Sequence, residues 1–307
     1  MKIRGIIFAL IAAITFGLSP ALVSRSYELG NNFLMMGFLR HALVLPLLYF
    51  MIGQQGLSLK VSKNDLKSLS IMTVFGTSLS ILVLYLSYNY IPAGLATSVH
   101  FIYPTIVAIA SALVFKEEFS LARKLAVVLS LMGIIFFIDL GGGSNNLLIG
   151  VLLAFTSGSA YSFYIVYMAK SGVMHLSTLV ITFYNCLIAS ITLGLIALFT
   201  NHLAFTSMGV NGWLLTIFIS LIMTITGTLF TQLAIKYVGT TVTSVMSTLE
   251  PITTLAVGFL FFNDPLTSRH IIASVFILLA VLVLALDQNK MAKKRAEHIE
   301  IYEEIIS

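Results

Sequence analysis

The sequence predicts an all-α integral membrane protein, with ten transmembrane helices arranged as two inverted five-helix repeats. Three observations predict it. Of 307 residues, 58% are hydrophobic and only 9% are charged, with a mean hydropathy of +1.01. Apolar runs of membrane-spanning length recur along the whole chain. The two halves also match each other when shifted by 147 residues.

The scarcity of charge comes first. Soluble domains carry about 25% charged residues, so this chain has too little polar surface to cover a water-facing globule. A helix crosses roughly 30 Å of hydrocarbon with about 20 apolar residues. Runs of that kind lie at 3–23, 33–52, 68–90, 95–115, 122–140, 147–169, 176–199, 213–235, 240–262 and 269–288. They are continuously apolar and do not alternate with period two, which argues against a β-barrel. The start Met1-Lys2-Ile3-Arg4 resembles a signal peptide, but it runs into a span of full length without a small-residue cleavage site. It therefore reads as a retained first helix. The lone Cys186 lies in an apolar run, allows no intramolecular disulfide and reads as a small buried hydrophobe.

Charge in the loops gives an orientation. With the N-terminus in the cytoplasm, the inside holds Lys2, Arg4, Lys60, Lys63, Lys67, Lys116, Arg123, Lys124, Lys170, Lys236, Lys290, Lys293, Lys294 and Arg295. The outside holds Arg25 and Arg269, and Arg40 lies within a span. This positive-inside bias requires an even number of spans, so both termini are expected in the cytoplasm. The short charged inner loops suit a bacterial inner (plasma) membrane. The net charge of +5 is explained by these loops and the tail, so nucleic acid is not an expected partner. The tail 289–307 is charged, with Ile299, Tyr302 and Ile305 at helical spacing, and reads as a short cytoplasmic helix on the membrane surface.

The internal repeat sets the architecture. A shift of 147 places Pro104 on Pro251, Leu86 on Leu233, Tyr90 on Tyr237 and Ala126 on Ala273. A shift of 145 places Gly5 on Gly150, Ala9 on Ala154 and Ser26 on Ser171. The halves are 1–140 and 147–288, with five spans each. An odd number of spans makes the second half enter the membrane from the opposite side. Inverted repeats of this kind recur in secondary transporters, with substrate bound near the midplane between the repeats. A small solute carried by alternating access is the expectation.

Residues 91–139, IPAGLATSVHFIYPTIVAIASALVFKEEFSLARKLAVVLSLMGIIFFID, resemble the second part of an EamA domain, and residues 238–287, with LEPITTLAVGFLFFNDPLT, resemble its second copy. Phe38-Leu39-Arg40 in span two fits the same pattern, and Asp264 stands where the second copy usually has glutamate. The chain is thus similar to the drug/metabolite transporter superfamily over nearly all of 1–288. The resemblance implies a ten-helix inverted-repeat fold, often with proton or exchange coupling. It also implies substrates drawn from amino acids, amines, nucleobases, vitamins, sugars and drugs, with export the commoner direction.

Ionisable groups at membrane depth are costly and are functional candidates by default. Glu250, directly before Pro251, is the acid placed at depth; it could carry a proton, hold a cationic substrate, or brace the proline break. His100 lies one turn before Pro104, in nearly the same place in the first half. Arg40, with His41 beside it, either snorkels to the outer interface or pairs with Glu250 or a substrate carboxylate. Tyr85, Tyr88 and Tyr103 add aromatic surface, and Tyr161, Tyr164 and Tyr167 form a stripe along span six, either as packing or as a face for cations. Asn185 and Gln232 add uncharged hydrogen-bonding capacity.

Gly141-Gly142-Gly143 is not a phosphate loop, because no Lys-Ser/Thr follows it. No nucleotide domain, metal-ligand cluster or hydrolase motif accompanies the spans, so an ATP-driven pump and a membrane enzyme are disfavoured and no cofactor is expected. Sugar phosphates would need more cations than Arg40 supplies. The expectation is therefore a secondary transporter for an amino acid, an amine or a similar zwitterionic or uncharged metabolite. An uptake permease of the same fold and a passive channel or scramblase are the alternatives. Expected partners are the small-molecule substrate, protons and membrane lipid, with a homodimer left open.

Overall fold

The computed structural model describes residues 2–114, 120–137, 145–203, 205–247 and 249–262, with short stretches between 268 and 286. The described residues form helices and turns and no strand. The glycine run at 141–143, the acidic turns and the tail 289–307 lie outside them. The elements are α1 (Lys2–Glu28), α2 (Phe33–Ala42), α3 (Leu45–Gln54), α4 (Lys63–Ile71), α5 (Leu79–Ser87), α6 (Ala93–His100) and α7 (Tyr103–Val114). They continue with α8 (Leu121–Phe137), α9 (Asn145–Lys170), α10 (Thr178–Phe199), α11 (Val210–Ile222), α12 (Phe230–Met246) and α13 (Leu249–Phe262). Two π-helical segments, Met72–Ser78 and Met223–Leu229, join α4 to α5 and α11 to α12.

Seven helical stretches among the described residues are long and apolar enough to cross a membrane: Ile3–Glu28, Phe33–Gln54, Lys63–Ser87, Ala93–Ser111, Asn146–Lys170, Thr178–Phe199 and Val210–Thr240. Lys124–Gly133 and Ile271–Ala280 are shorter apolar helices, at the places of the fifth and tenth expected spans.

The distribution of polarity is that of a protein dissolved in lipid. Ile3, Ile7, Ile11 and Ile14 make one outward stripe on α1, with Ile3 74% exposed. Leu121, Leu125, Val128, Leu131 and Ile135 make another on α8. Thr73, Ser80, Ser87, Ser157, Thr182, Asn185, Ser220 and Gln232 are buried. Every backbone group in hydrocarbon must be satisfied within its own helix, so the outward faces can be wholly apolar while hydroxyls and amides pair between helices.

Two of the expected single spans are broken. The fourth divides at Phe101–Ile102, between α6 and α7, and the ninth divides at Ser247, between α12 and α13. Neither proline sits in the break. Pro104 and Pro251 lie in the first turn of α7 and α13, where a helix has no use for the missing N–H. The chain has already left the preceding helix by then, because a proline would clash with a continuing helix through the preceding turn. Within α12, Gly239 has φ 82° and ψ 170°, a backbone only glycine adopts readily, and it turns the chain between the eighth and ninth expected spans.

The first helix of each half packs on the broken span of the other half. α1 lies against α12 and α13, and α9 lies against α5, α6 and α7. α2 packs on α10. One rim is tied by Asn32 Nδ2 donating to the His202 carbonyl at 2.9 Å and Ser207 Oγ donating to the Gly30 carbonyl at 2.7 Å. The opposite rim is tied by Tyr184 OH donating to the Leu59 carbonyl at 2.7 Å and by the His175–Asp65 pair at 3.6 Å.

Candidate substrate cavity

Several of the interior polar side chains meet around a cavity of about 70 Å³. A single water needs about 10–15 Å³ of such space, so the cavity suits a few waters or a small solute. Its walls come from α1 (Phe16, Ser19, Pro20), α2 (Arg40), the first π segment with α5 (Thr77, Ser80, Tyr85, Tyr88), α6 (Thr97, His100), α9 (Tyr161, Tyr164) and the Thr228–Thr231 stretch, with Glu250 at the start of α13.

Glu250 is 7% exposed and sits in the first turn of α13, where the helix dipole favours a carboxylate. It lines the cavity, and the Arg40 guanidinium is its charged neighbour across that space. Gly17 of α1 lets the α13 backbone come close: a Cβ on Gly17 would lie 2.7 Å from the Glu250 carbonyl oxygen and 2.5 Å from Thr253 Cβ.

Arg40 does not reach the surface; it is 6% exposed and turned inward. Its Nη1 donates to Tyr85 OH at 2.8 Å, and the Phe16 ring lies 5.7 Å from its guanidinium carbon. Its Nε is buried without a hydrogen-bond partner. His41 turns away, with Nδ1 2.8 Å from the Gly37 carbonyl of its own helix.

His100 ends α6 and is held through Nδ1, 2.8 Å from Ser157 Oγ. Ser157 Oγ donates its single proton to the Ser80 carbonyl at 2.8 Å, so the serine oxygen accepts from His100 Nδ1–H. The imidazole packs against the rings of both Tyr103 and Tyr161, with centroids at 5.5 and 5.7 Å.

The sequence candidates divide into two groups. Glu250, His100, Arg40, Tyr85, Tyr88, Tyr161 and Tyr164 line the cavity. Tyr103, Asn185 and Gln232 stand behind its walls. Tyr103 packs edge-on against Tyr161, with centroids 4.8 Å apart. Gln232 Nε2 donates to Tyr164 OH at 2.8 Å while Gln232 Oε1 accepts from Thr182 at 2.7 Å. Asn185 Nδ2 donates to Thr77 Oγ1 at 3.1 Å. Pro104 and Pro251 shape the two breaks and do not line the cavity.

Sequence reading missed Phe16, Thr77, Ser80, Thr97, Thr228 and Thr231. Two of them carried a readable signal. The pattern Met-Thr-x-x-Gly-Thr occurs at 72–77 and again at 223–228, and both copies form the π segments. The glycine of each copy makes room for an aromatic side chain that lines the cavity. A Cβ on Gly76 would meet Tyr164 Cβ at 2.7 Å, and one on Gly227 would meet the Phe16 ring at 2.8 Å. The threonine that follows each glycine, Thr77 or Thr228, faces the cavity.

Comparison with known proteins adds a family to this geometry. The EamA-like transporter family matches the chain twice, at residues 3–138 and 148–286. An uncharacterized transporter of Synechocystis, sll1319, is 34% identical over 95 residues, which are 30% of this chain and 29% of that protein's length. The uncharacterized inner membrane transporter YicL of Salmonella typhimurium is 24% identical over 94% of this chain and 98% of its own length. A solved crystal structure superposes with a TM-score of 0.70 at 16% identity, covering 92% of this chain and 97% of that one, a likeness of fold.

Proposed function

The chain belongs to the EamA-like transporter family, and we propose that it is a secondary active transporter moving a small zwitterionic or uncharged metabolite by alternating access. Glu250 is the coupling carboxyl in this reading, and export is the direction. The observation that carries it is the cavity, which one carboxyl, one guanidinium and one imidazole from separate elements all line. The helix breaks at Phe101–Ile102 and at Ser247 flank His100 and Glu250 of this cavity, and interrupted helices of this kind form transporter sites.

Ten spans in two inverted repeats belong to the same reading. Each half's first helix packing on the other half's broken span supports a pseudo-two-fold relation. So do the paired π segments and the two family matches of nearly equal length. The charge bias of the loops supports cytoplasmic termini, and the likeness to the inner membrane transporter YicL supports an inner membrane.

The test is pH-dependent flux in proteoliposomes over a panel of amino acids, amines and nucleobases, with wild type and Glu250→Gln side by side. The expected result is a solute whose movement is coupled to protons in wild type and uncoupled in the variant, with folding intact. Normal coupled transport by Glu250→Gln would reduce Glu250 to a brace of the helix break and leave His100 as the coupling candidate.

A further inference from the structure

We infer that Ser157 is a positioning residue for the cavity: it holds His100 in the tautomer with the proton on Nδ1, so that Nε2 meets the solute as a hydrogen-bond acceptor. The inference rests on the transporter reading and deepens it.

The first ground is the bonding of one hydroxyl. A serine hydroxyl has one proton to donate and two lone pairs that accept. Ser157 Oγ lies 2.8 Å from the Ser80 carbonyl, 3.1 Å from Ser80 Oγ and 2.8 Å from His100 Nδ1. A carbonyl oxygen has no proton to give, so the Ser157 proton goes to it. The two lone pairs then accept from Ser80 Oγ–H and from His100 Nδ1–H. The hydroxyl is fully used, and nothing is left to donate to the ring. With the proton on Nδ1, Nε2 carries a lone pair.

The second ground is that one stretch of α9 fixes both the ring and the backbone of His100. Ser157 is fully buried and holds the ring. Gly158 beside it meets the backbone: a Cβ there would lie 2.4 Å from the His100 carbonyl oxygen, so α9 crosses the end of α6 in backbone contact. The rings of Tyr103 and Tyr161 pack against the imidazole and oppose its rotation. Ser80 stands on α5, just past the first π segment. One hydroxyl thus ties the broken end of α6 to α5 and α9 together.

The third ground is where Nε2 is left. It makes no hydrogen bond among the described residues, and it is not one of the interior atoms that are both unpartnered and sealed. His100 lines the cavity, so Nε2 is open to that space. A fixed lone pair there accepts from an N–H or O–H of the solute. A solute oxygen without a proton finds no donor at that point, and the mismatch weakens its binding.

The experiment reads histidine protonation by NMR in the purified chain, labelled with nitrogen-15 histidine, in lipid nanodiscs at neutral pH. Of the six histidines, His100 is the one whose signals vanish in His100→Gln. The expected wild-type ring has a protonated Nδ1 and a bare Nε2. Ser157→Ala should move the population toward Nε2–H, the tautomer that free histidine favours, and Ser157→Thr, which keeps the hydroxyl, should hold Nδ1–H. Counterflow in proteoliposomes is read over the same panel of amino acids, amines and nucleobases. Ser157→Ala should raise the half-saturating concentration of the transported solute by about two- to tenfold, the scale of one hydrogen bond, with Ser157→Thr near wild type. A wild-type ring protonated on Nε2, or a tautomer unchanged in Ser157→Ala, overturns the inference. So does a shifted tautomer with unchanged half-saturation, because the ring then does not touch the solute. The wild-type spectrum does not depend on any variant folding. If a solute moves saturably and His100 carries its proton on Nε2, this inference fails and the transporter reading stands. If nothing on the panel moves saturably, both fail.

Discussion

Gly17→Ala adds one methyl group where α1 crosses the start of α13. The new Cβ would lie 2.5 Å from Thr253 Cβ, 2.7 Å from the Glu250 carbonyl oxygen and 2.9 Å from Thr253 Cγ2. Carbon atoms in contact prefer about 3.5–4.0 Å. Two of the three neighbours are fixed to the α13 backbone, so rotamer changes cannot relieve them. The helices must part by about 1 Å, which follows from the difference between that contact distance and the built one. Overpacking of this kind costs about 1–3 kcal/mol. Gly94→Ala is the matched control: it lies in α6, and a Cβ there meets nothing within 4 Å. There the gain in helix propensity, at most about 1 kcal/mol, should leave stability equal or slightly higher. The assay is the fraction of each purified variant that survives heating in detergent as a monodisperse peak, set against wild type. At about 2–4 °C per kcal/mol, Gly17→Ala should melt several degrees lower. Its coupled flux should fall as well, because the displaced turn carries Glu250. A Gly17→Ala protein as stable as wild type, or a Gly94→Ala protein equally damaged, would refute the close-crossing argument.

Other changes test separate parts of the structure. Gln232→Leu leaves Tyr164 OH and the Thr182 hydroxyl without their shared partner. It should lower stability by about 1–3 kcal/mol in the same heating assay, and Thr182→Val should add little on top of it. Ser62→Ala removes the capping box in which the Ser62 side chain accepts from the Asp65 N–H at 3.0 Å. A loss of about 0.5–2 kcal/mol, read by hydrogen exchange of the first turn of α4, is expected. Cys186 is buried at 1% exposure and should resist a membrane-permeable maleimide in the native protein, yet label fully in denaturant.

The membrane-spanning stretches were legible because lipid imposes a length and a polarity on every helix. Glu250 and His100 were legible for the same reason, as ionisable groups inside apolar runs beside prolines. Which way Arg40 turns was not, since an arginine one-third of the way along a span can reach either an interface or an interior. That choice is settled by Tyr85 and by the Phe16 ring, which come from other helices. Asn185 and Gln232 were visible as polar groups at depth, but their role as braces for Thr77 and Tyr164 depends on partners far away in sequence. Thr77 and Thr228 passed unnoticed because a threonine can satisfy its hydroxyl on its own helix and so looks neutral in an apolar run. The placement of the breaks, just ahead of the prolines rather than at them, follows from the steric demand proline makes on the residues before it.

The two π segments also act as angular settings. A wider turn takes in a residue that an α-helix of the same rise would not hold, and each extra residue rotates everything beyond it by about 100° about the axis. Tyr85 and Tyr88 lie beyond the first segment, and Thr231 lies just beyond the second. Excising one residue from 72–78 would let that stretch relax to an ordinary helix and swing the two tyrosines off the cavity wall, with every side chain retained. The aim of these walls is therefore held by residue number as much as by residue type.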